Sequence, residues 1–230
     1  MRIAFYAPLK PPDHPVPSGD RQVARLFFRA LRLAGHEPVL ASRFRSYEGD
    51  GDSLRQLRLA AFGQQLAEWL LQRYREVPEL SPELWFSYHL YHKAPDWLGP
   101  TIADALGIPY VVAEASITPE QARGSWAAGH LAVESAVRRA DAVIGLNPSD
   151  RECVVALLRA PMRWVAFKPF LDAQTYEAKV PARDGPPRLI VVAMMRFGDK
   201  LSSYRLLGDA LSRLLDLPWL LEVVGDGPAR

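Results

Sequence analysis

The chain has 230 residues, of which 49% are hydrophobic and 23% are charged, and its formal net charge is +2. This balance is that of an ordinary globular protein. No basic stripe is present, so we predict no nucleic acid as a partner, while a peripheral contact with anionic lipid stays open. Cys153 is the only cysteine, which excludes an intrachain disulfide and fits a reducing compartment.

No apolar stretch approaches the length that would cross a membrane, and the first ten residues hold too short an apolar run for a signal peptide. We therefore expect a cytoplasmic protein, with the inner face of the cell membrane as a second location to consider.

The start of the chain reads as a strand, a helix and a second strand. Arg2–Ala7 is a short apolar run typical of a buried strand. Apolar residues then recur at helical spacing over 23–34, with Ser18 as the expected N-cap and Gly35 as the expected terminal glycine. Glu37–Ser42 gives the next strand. This order predicts a βαβ unit with parallel strands.

Strands and helices continue to alternate up to residue 170. A long helix is predicted over roughly 54–77 from its apolar residues, which are Leu54, Leu57, Ala61, Leu66, Trp69 and Leu70. The further predicted strands are Glu83–Ser87, Tyr110–Glu114, Asp141–Leu146 and Arg163–Phe167. The pattern predicts an α/β fold in which residues 1–170 form a Rossmann-like domain around a parallel sheet.

The composition changes after this domain. Residues 171–187 are polar and rich in Pro and Ala, which is typical of a linker. Residues 188–230 then read as the first βαβ of a second domain, with a helix predicted from about Ser203 to Leu215 and a strand in Leu220–Val224. The chain ends in a glycine turn that such a domain would normally follow with a helix, so we expect this second domain to be incomplete.

Candidate site residues follow from one rule, that ligands bind beyond the carboxyl ends of the strands in an open parallel sheet. Ser18 and Gly19 begin the first helix, where free N–H groups bind an anion or simply cap the helix. His89 follows the third strand, as a hydrogen-bonding group or as a surface histidine. Glu114 ends the fourth strand, where it serves acid–base chemistry, an acceptor hydroxyl or a structural salt bridge.

Two cations follow the first strand of the second domain. Arg196 and Lys200 suit a diphosphate, although two solvated loop charges would look the same in sequence. The chain has no G-x-x-x-x-G-K-[ST] or G-x-G-x-x-G pattern, and no H-E-x-x-H motif or cysteine cluster. We therefore predict no metal site. The arginines of the first helix, Arg21, Arg25, Arg29 and Arg32, are interpreted as a solvated face.

These segments, in this order, resemble the retaining nucleotide-sugar glycosyltransferases of family 4, which have the GT-B fold. The resemblance lies in the opening strand, glycine loop and helix, and in six further segments, namely ELWFSYH, IADALGIPYVVAEAS, VRRADAVIGLNPSDRECV, KPFLDAQTY, MMRFGDK and VVGDGPAR. It covers the whole chain, which would correspond to the N-terminal domain and the start of the C-terminal domain.

The resemblance implies a sugar transfer from a nucleotide-sugar donor to a saccharide, lipid-linked or small-molecule acceptor, with retained anomeric configuration. His89 stands in the place of the family's active-site histidine. Arg196, Lys200 and Gly19 would bind the donor diphosphate, with no metal and no cofactor. Ser18, Glu114 and Ser116 are candidates on the acceptor side.

The chain also departs from the family pattern. It has one glycine in the first loop where the family has two, and the spacing from Arg196 to Lys200 is one residue shorter. The family's E-x7-E element, which holds the donor sugar and ribose, is expected beyond residue 230. We therefore expect residues 1–230 alone to be inactive. A non-catalytic GT-B-like binding module and a GT-B-fold nucleotide-sugar epimerase remain the alternatives.

Overall fold

The structure of the chain, a computed structural model, describes residues 1–176 and 185–230. It divides the chain into two units, Met1–Thr175 and Tyr176–Arg230. The middle of the predicted linker, residues 177–184, lies outside the described residues.

The first unit is built on a six-stranded sheet whose neighbouring strands are all parallel. Its strands are β1 (Arg2–Tyr6), β2 (Glu37–Leu40), β3 (Leu84–Leu90), β4 (Tyr110–Ala115), β5 (Ala142–Gly145) and β6 (Arg163–Ala166). They are arranged in the order β2-β1-β3-β4-β5-β6. Each one overlaps a predicted strand, but β3 continues three residues past Ser87, so that His89 lies in the strand and not in the loop after it.

Five helices connect these strands. They are α1 (Gly19–Leu33), α2 (Ser53–Glu76), α3 (Gly99–Leu106), α4 (Ala127–Arg139) and α5 (Arg151–Val155). Both predicted ends of α1 are confirmed: the Arg21 N–H donates to Ser18 Oγ at 3.2 Å, and Gly35 has a φ of 80°. Within residues 1–176 and 185–230, no helix is both long and apolar enough to cross a membrane.

The core of the first unit lies on both faces of the sheet, because the side chains of a strand alternate between its two faces. Phe5 of β1 packs with Phe27 of α1 on one face. Tyr6, the next residue, packs on the other face in a cluster that includes Trp85 and residues of α2, α3 and α4. A parallel sheet covered on both faces in this way is typical of α/β proteins.

The face of α2 that is buried differs from the one its apolar residues predict. Leu54, Leu57 and Trp69 are exposed, although they defined the predicted helix. The buried stripe includes Gly63 and Ala67 instead. A Cβ at Gly63 would lie 2.4 Å from the Cβ of Trp97, so α2 approaches its neighbour through a small residue. The buried face of α2 thus combines these small residues with Leu70 and Leu71, and only part of the apolar set lies on it.

The second unit contains β7 (Arg188–Val192), α6 (Asp199–Leu211) and β8 (Leu220–Val224). β7 and β8 pair in parallel along their whole length, which confirms the predicted βαβ pattern. The helix begins four residues earlier than Ser203, so that Lys200 lies in its first turn. Nearly all residues of the two strands are exposed. Two strands alone are marginally stable, because such a sheet buries little apolar surface.

We expect the backbone amides of β7 and β8 to exchange with deuterium at least tenfold faster than those of β3 and β4 in the 230-residue chain. Amide protection follows the free energy of local opening, which is low where few apolar contacts are buried. Native-state hydrogen exchange followed by mass spectrometry tests this expectation. Equal protection in the two pairs of strands would contradict it.

Candidate functional site

The strand order places a crevice between β1 and β3. From β1 the chain crosses to β2 on one side, whereas β3 lies on the other side of β1. In open α/β sheets, ligands bind at the carboxyl ends of the strands where the direction of winding reverses. Two segments lie at this position: the start of α1, which follows β1, and the end of β3, which contains His89.

A hydrogen bond connects these two segments. His89 Nδ1 lies 3.1 Å from Oδ1 of Asp20, a residue in the first turn of α1. The hydrogen bond from His89 lowers the pKa of the Asp20 carboxyl, although partial burial of the carboxyl opposes the shift. Both side chains keep part of their surface in solvent, at 21% for His89 and 36% for Asp20. The pair is therefore fixed in position and still accessible to a ligand.

Two residues at this edge have a left-handed backbone although they are not glycines. His89 has a φ of 62° and Glu114 a φ of 61°. The register pairs Tyr88 with Ala113 and Leu90 with Ala115, so these two residues occupy equivalent positions on neighbouring strands. An L-residue in this region costs about 1–2 kcal/mol. Strain of this kind persists where the surrounding structure holds it, and it clusters at functional sites.

The left-handed backbone of His89 interrupts the regular alternation of side chains between the two faces of β3. Tyr88 packs on the α1 side of the sheet, and His89 bonds to α1 on the same side. Leu90 then lies in the cluster on the opposite side. Regular alternation would place His89 on the face away from α1. The local backbone conformation is therefore what brings His89 to Asp20.

A pair of substitutions at Glu114 tests this strain. We expect Glu114→Gly to be more stable than Glu114→Val by about 2 kcal/mol, because glycine adopts the left-handed region freely and a β-branched residue does so at high cost. Urea unfolding followed by tryptophan fluorescence measures the difference. If the two variants unfold at the same urea concentration, Glu114 is not held in a strained conformation.

The carboxylate of Glu114 interacts with the hydroxyl of Tyr88. Tyr88 is 2% exposed. Burial raises the pKa of its phenol, and the charges of Glu114 and Asp20 raise it further. Tyr88 is therefore a neutral donor beside two carboxylates. Glu114, which is half-buried, combines a hydrogen bond to a buried partner with partial access to solvent.

Aromatic contacts hold the loop after β3. The ring of His89 lies 5.2 Å from that of Tyr91, and the ring of His92 lies 5.6 Å from that of Trp126. The ammonium group of Lys93 lies 4.2 Å from the centre of the Trp126 ring. Burial lowers the pKa of His92, and the charge of Lys93 lowers it further. The loop thus presents a wall of neutral aromatic rings beside His89.

The remaining candidates of the first unit lie at the same edge. Ser18 caps α1 with its hydroxyl, and Gly19 is exposed at the start of the helix. A Cβ at Gly19 would contact nothing within 4 Å, so the protein itself leaves that space open. Ser116 directly follows β4, and its N–H donates to the carbonyl of Leu90 at 2.8 Å.

Arg196 and Lys200 lie in the second unit, and both are exposed. Lys200 is in the first turn of α6, and the carbonyl of Arg196 accepts a hydrogen bond from the N–H of Leu201 at 3.1 Å. A left-handed glycine, Gly198, with a φ of 81°, precedes the helix. The two cations thus stand at either end of a tight turn into a helix N-terminus, a place that favours anions.

Asp20 is not among the site residues predicted from the sequence. Its proximity to His89 could not be read from the sequence, because the two residues are 69 positions apart. Its position two residues after the helix cap, at the carboxyl end of β1, is the signal that could have identified it.

Among residues 1–176 and 185–230, no group of three or more His, Cys, Asp or Glu side chains is arranged to hold a metal ion. The histidines nearest the carboxyl edge have other contacts: His89 pairs with Asp20, and His92 makes edge-to-face contacts with Tyr91 and Trp126.

Comparison with known proteins gives matches among solved structures. No protein-family model and no curated protein matches the chain. The chain is similar to the lipopolysaccharide outer core galactosyltransferase WaaB in its apo form, with a TM-score of 0.59 and 15% identity, over 99% of this chain and 62% of that chain. A glycosyltransferase of kitacinnamycin matches with a TM-score of 0.46 and 13% identity, over 96% of this chain and 65% of that chain.

The chain therefore spans less than two thirds of the length of either structure. The likeness to WaaB extends over nearly all of the present chain and agrees with the parallel sheet described above. The chain is thus an α/β protein with the fold of the GT-B glycosyltransferases, and its first unit is a Rossmann-like parallel-sheet domain.

Proposed function

We propose that this protein is a glycosyltransferase that moves a sugar from a nucleotide-sugar donor to a saccharide, lipid-linked or small-molecule acceptor with retention, in polysaccharide or glycoconjugate biosynthesis. The observation that carries the proposal is the His89–Asp20 pair at the crevice between β1 and β3. The GT-B type of fold and the family motifs in the sequence support it.

In this proposal His89 is the catalytic residue. The Asp20 carboxylate accepts the Nδ1–H of His89, which fixes the orientation of the ring and leaves Nε2 as the nitrogen that faces a ligand. Nε2 would contact a hydroxyl of the donor sugar near the reacting carbon. Asp20 acts through His89, so we assign it a positioning role.

The leaving group of such a reaction is a nucleoside diphosphate, which gains negative charge as the glycosidic bond breaks. Groups that donate hydrogen bonds or carry positive charge lower the barrier when they are already in place. We assign this role to Arg196 and Lys200 and to the backbone N–H groups at Gly19. All three are exposed and lie at helix N-termini or the turns that lead into them.

The acceptor would bind at the same edge of the first unit. Glu114 would accept a hydrogen bond from the attacking hydroxyl, with Ser18 and Ser116 as further polar contacts. The aromatic wall of Tyr91 and Trp126 suits the apolar face of a sugar ring. We propose that no metal and no cofactor take part, that the donor is a co-substrate, and that the protein acts in the cytoplasm or at the inner face of the cell membrane.

The proposal is tested with the product of the complete gene, incubated with a panel of nucleotide sugars and candidate acceptors and followed by NMR. Release of a nucleoside diphosphate with a product of retained anomeric configuration would support it. A donor whose sugar is inverted at C2 without transfer would identify an epimerase. Binding of nucleotide sugars without any turnover would identify a binding module, and either of these results would overturn the proposal.

A further inference from the structure

A cationic groove lies on the outer side of α1, between this helix, the loop after β1 and the edge strand β2. Its volume is about 450 Å³. Its rim carries four arginines and its floor two apolar side chains, namely Arg25, Arg29, Arg32, Arg43, Phe28 and Leu40. None of these residues belongs to the His89 site.

The charge of the groove comes from the periodicity of α1 and from one residue after β2. Arg25, Arg29 and Arg32 are spaced four and three positions apart, so they share one face of the helix. Arg43 faces them from the segment after β2. Two carboxylates pair with these arginines: Asp13, which lines the groove, pairs with Arg43, and Asp172 pairs with Arg29. Four guanidinium groups therefore face two carboxylates, and the excess charge is positive.

Arg25, Arg29 and Arg32 are exposed, in agreement with the solvated face predicted from the sequence, and the arginines of the groove also contact the protein. Arg25 Nε donates to the Pro12 carbonyl at 2.7 Å, and Arg43 Nε donates to Asp13 Oδ2 at 2.6 Å. The guanidinium of Arg32 lies 4.9 Å from the centre of the Phe28 ring. A guanidinium has five N–H donors, so one such contact leaves most of its donors for a ligand. Side chains ordered in advance lose less entropy when they bind.

The floor of the groove has a different character. Phe28 and Leu40 are partly buried and pack against the core cluster on the α1 side of the sheet. Each leaves some of its surface facing the groove. A ligand that fits both features therefore carries a negative head for the guanidinium rim and an apolar body for this floor.

We propose that this groove binds a phosphate ester with an aromatic or aliphatic body. Arginine recognises phosphate through paired N–H donors, which matches a rim made of guanidinium groups. The cavity volume falls within the range of small-molecule sites. The site requires neither sugar transfer nor the His89–Asp20 pair, so it stands independently of the proposed function.

The experiment titrates phenyl phosphate into the ¹⁵N-labelled 230-residue chain and follows amide shifts by NMR. We expect saturable shifts in residues 25–32 and 40–43, weaker binding of inorganic phosphate, and no binding of benzyl alcohol. The double variant Arg25→Gln/Arg43→Gln should weaken the binding of phenyl phosphate about tenfold or more, the effect of losing one charge-assisted hydrogen bond.

The matched control is Arg58→Gln/Arg151→Gln, which removes the same charge from exposed positions on α2 and α5. The control should bind phenyl phosphate as the parent does. Equal weakening in both double variants would mean that binding follows net charge, and this would overturn the proposal. So would inorganic phosphate that binds as tightly as phenyl phosphate, or the absence of saturable shifts in the groove at millimolar phenyl phosphate.

Discussion

Replacement of His89 by alanine is expected to lower sugar transfer by the complete gene product about 10²- to 10³-fold, the effect of removing one preorganised group that acts on the transition state. Stability should change much less. His89 is partly exposed, and its contact with Asp20 is partly solvated, so little stability is expected to depend on it. The measurement is turnover with the best donor, together with urea unfolding of both proteins.

A matched substitution separates the site from general effects. His36→Ala removes a histidine just after α1, away from the crevice, and should leave turnover unchanged. His89→Ala should also raise the pKa of Asp20 towards its usual value of 3.8, since the hydrogen bond that lowers it is lost. In the parent, the stability gained from this pair is present above the unfolded pKa of Asp20 and is lost as the pH falls. The stability of His89→Ala should not show this decrease. Equal turnover in His89→Ala and parent would remove His89 from the mechanism.

Replacement of Asp96 by alanine is expected to destabilise the first unit by at least about 3 kcal/mol, because several buried donors lose their acceptor at once. Asp96 is 3% exposed. Its Oδ1 accepts the N–H groups of Leu98 and Gly99, both at 2.8 Å, and its Oδ2 accepts the hydroxyl of Tyr110 at 3.0 Å and that of Ser87. One side chain thus joins the start of α3 to β3 and β4.

The Asp96→Asn variant keeps the shape and should retain part of this stability. Burial raises the pKa of Asp96, although its hydrogen bonds oppose the shift. A raised pKa means that the folded state holds the proton more tightly than the unfolded state does. The contribution of Asp96 to the free energy of unfolding therefore falls as the pH rises through its folded pKa. The difference in unfolding free energy between the parent and Asp96→Asn should become smaller as the pH rises. Urea unfolding at several pH values measures both effects, and a loss below about 1 kcal/mol in Asp96→Ala would contradict this account.

Most of the fold could be predicted because the strands are buried. Apolar runs such as Arg2–Ala7 are typical of strands in a sheet covered on both faces, and Ser18 and Gly35 mark the ends of α1 through general capping rules. The buried face of α2 could be predicted only in part. Leu70 is buried, but Leu54 and Leu57 are exposed, and the close approach of Gly63 to Trp97 has no apolar pattern that would indicate it.

The site could be predicted only in part. The position of His89 near the carboxyl edge follows from the strand pattern, but its face does not, since a left-handed backbone at a histidine leaves no mark in the sequence. The hydrogen bond between His89 and Asp20 depends on that conformation, so it could not be predicted either. Glu114 has the same left-handed conformation, and its contact with Tyr88 on the neighbouring strand could not be predicted either.

The glycine turn after β8 has a structural explanation that the sequence left open. A Cβ at Gly225 would lie 1.9 Å from the carbonyl oxygen of Ala193, and one at Gly227 would lie 2.0 Å from that of Met195. Gly227 also has a φ of 149°. These glycines allow the turn to pack on the segment after β7, so their presence alone does not indicate a phosphate site.

We propose that sugar transfer takes place at the crevice between β1 and β3. The most direct test is amide hydrogen exchange of the complete gene product, with and without the nucleotide sugar that it turns over fastest. Our account predicts slower exchange in residues 18–20 and 89–91 when the donor is bound. Turnover with donor-dependent protection elsewhere and none in these two segments would contradict it, as would the failure of the folded protein to cleave any nucleotide sugar.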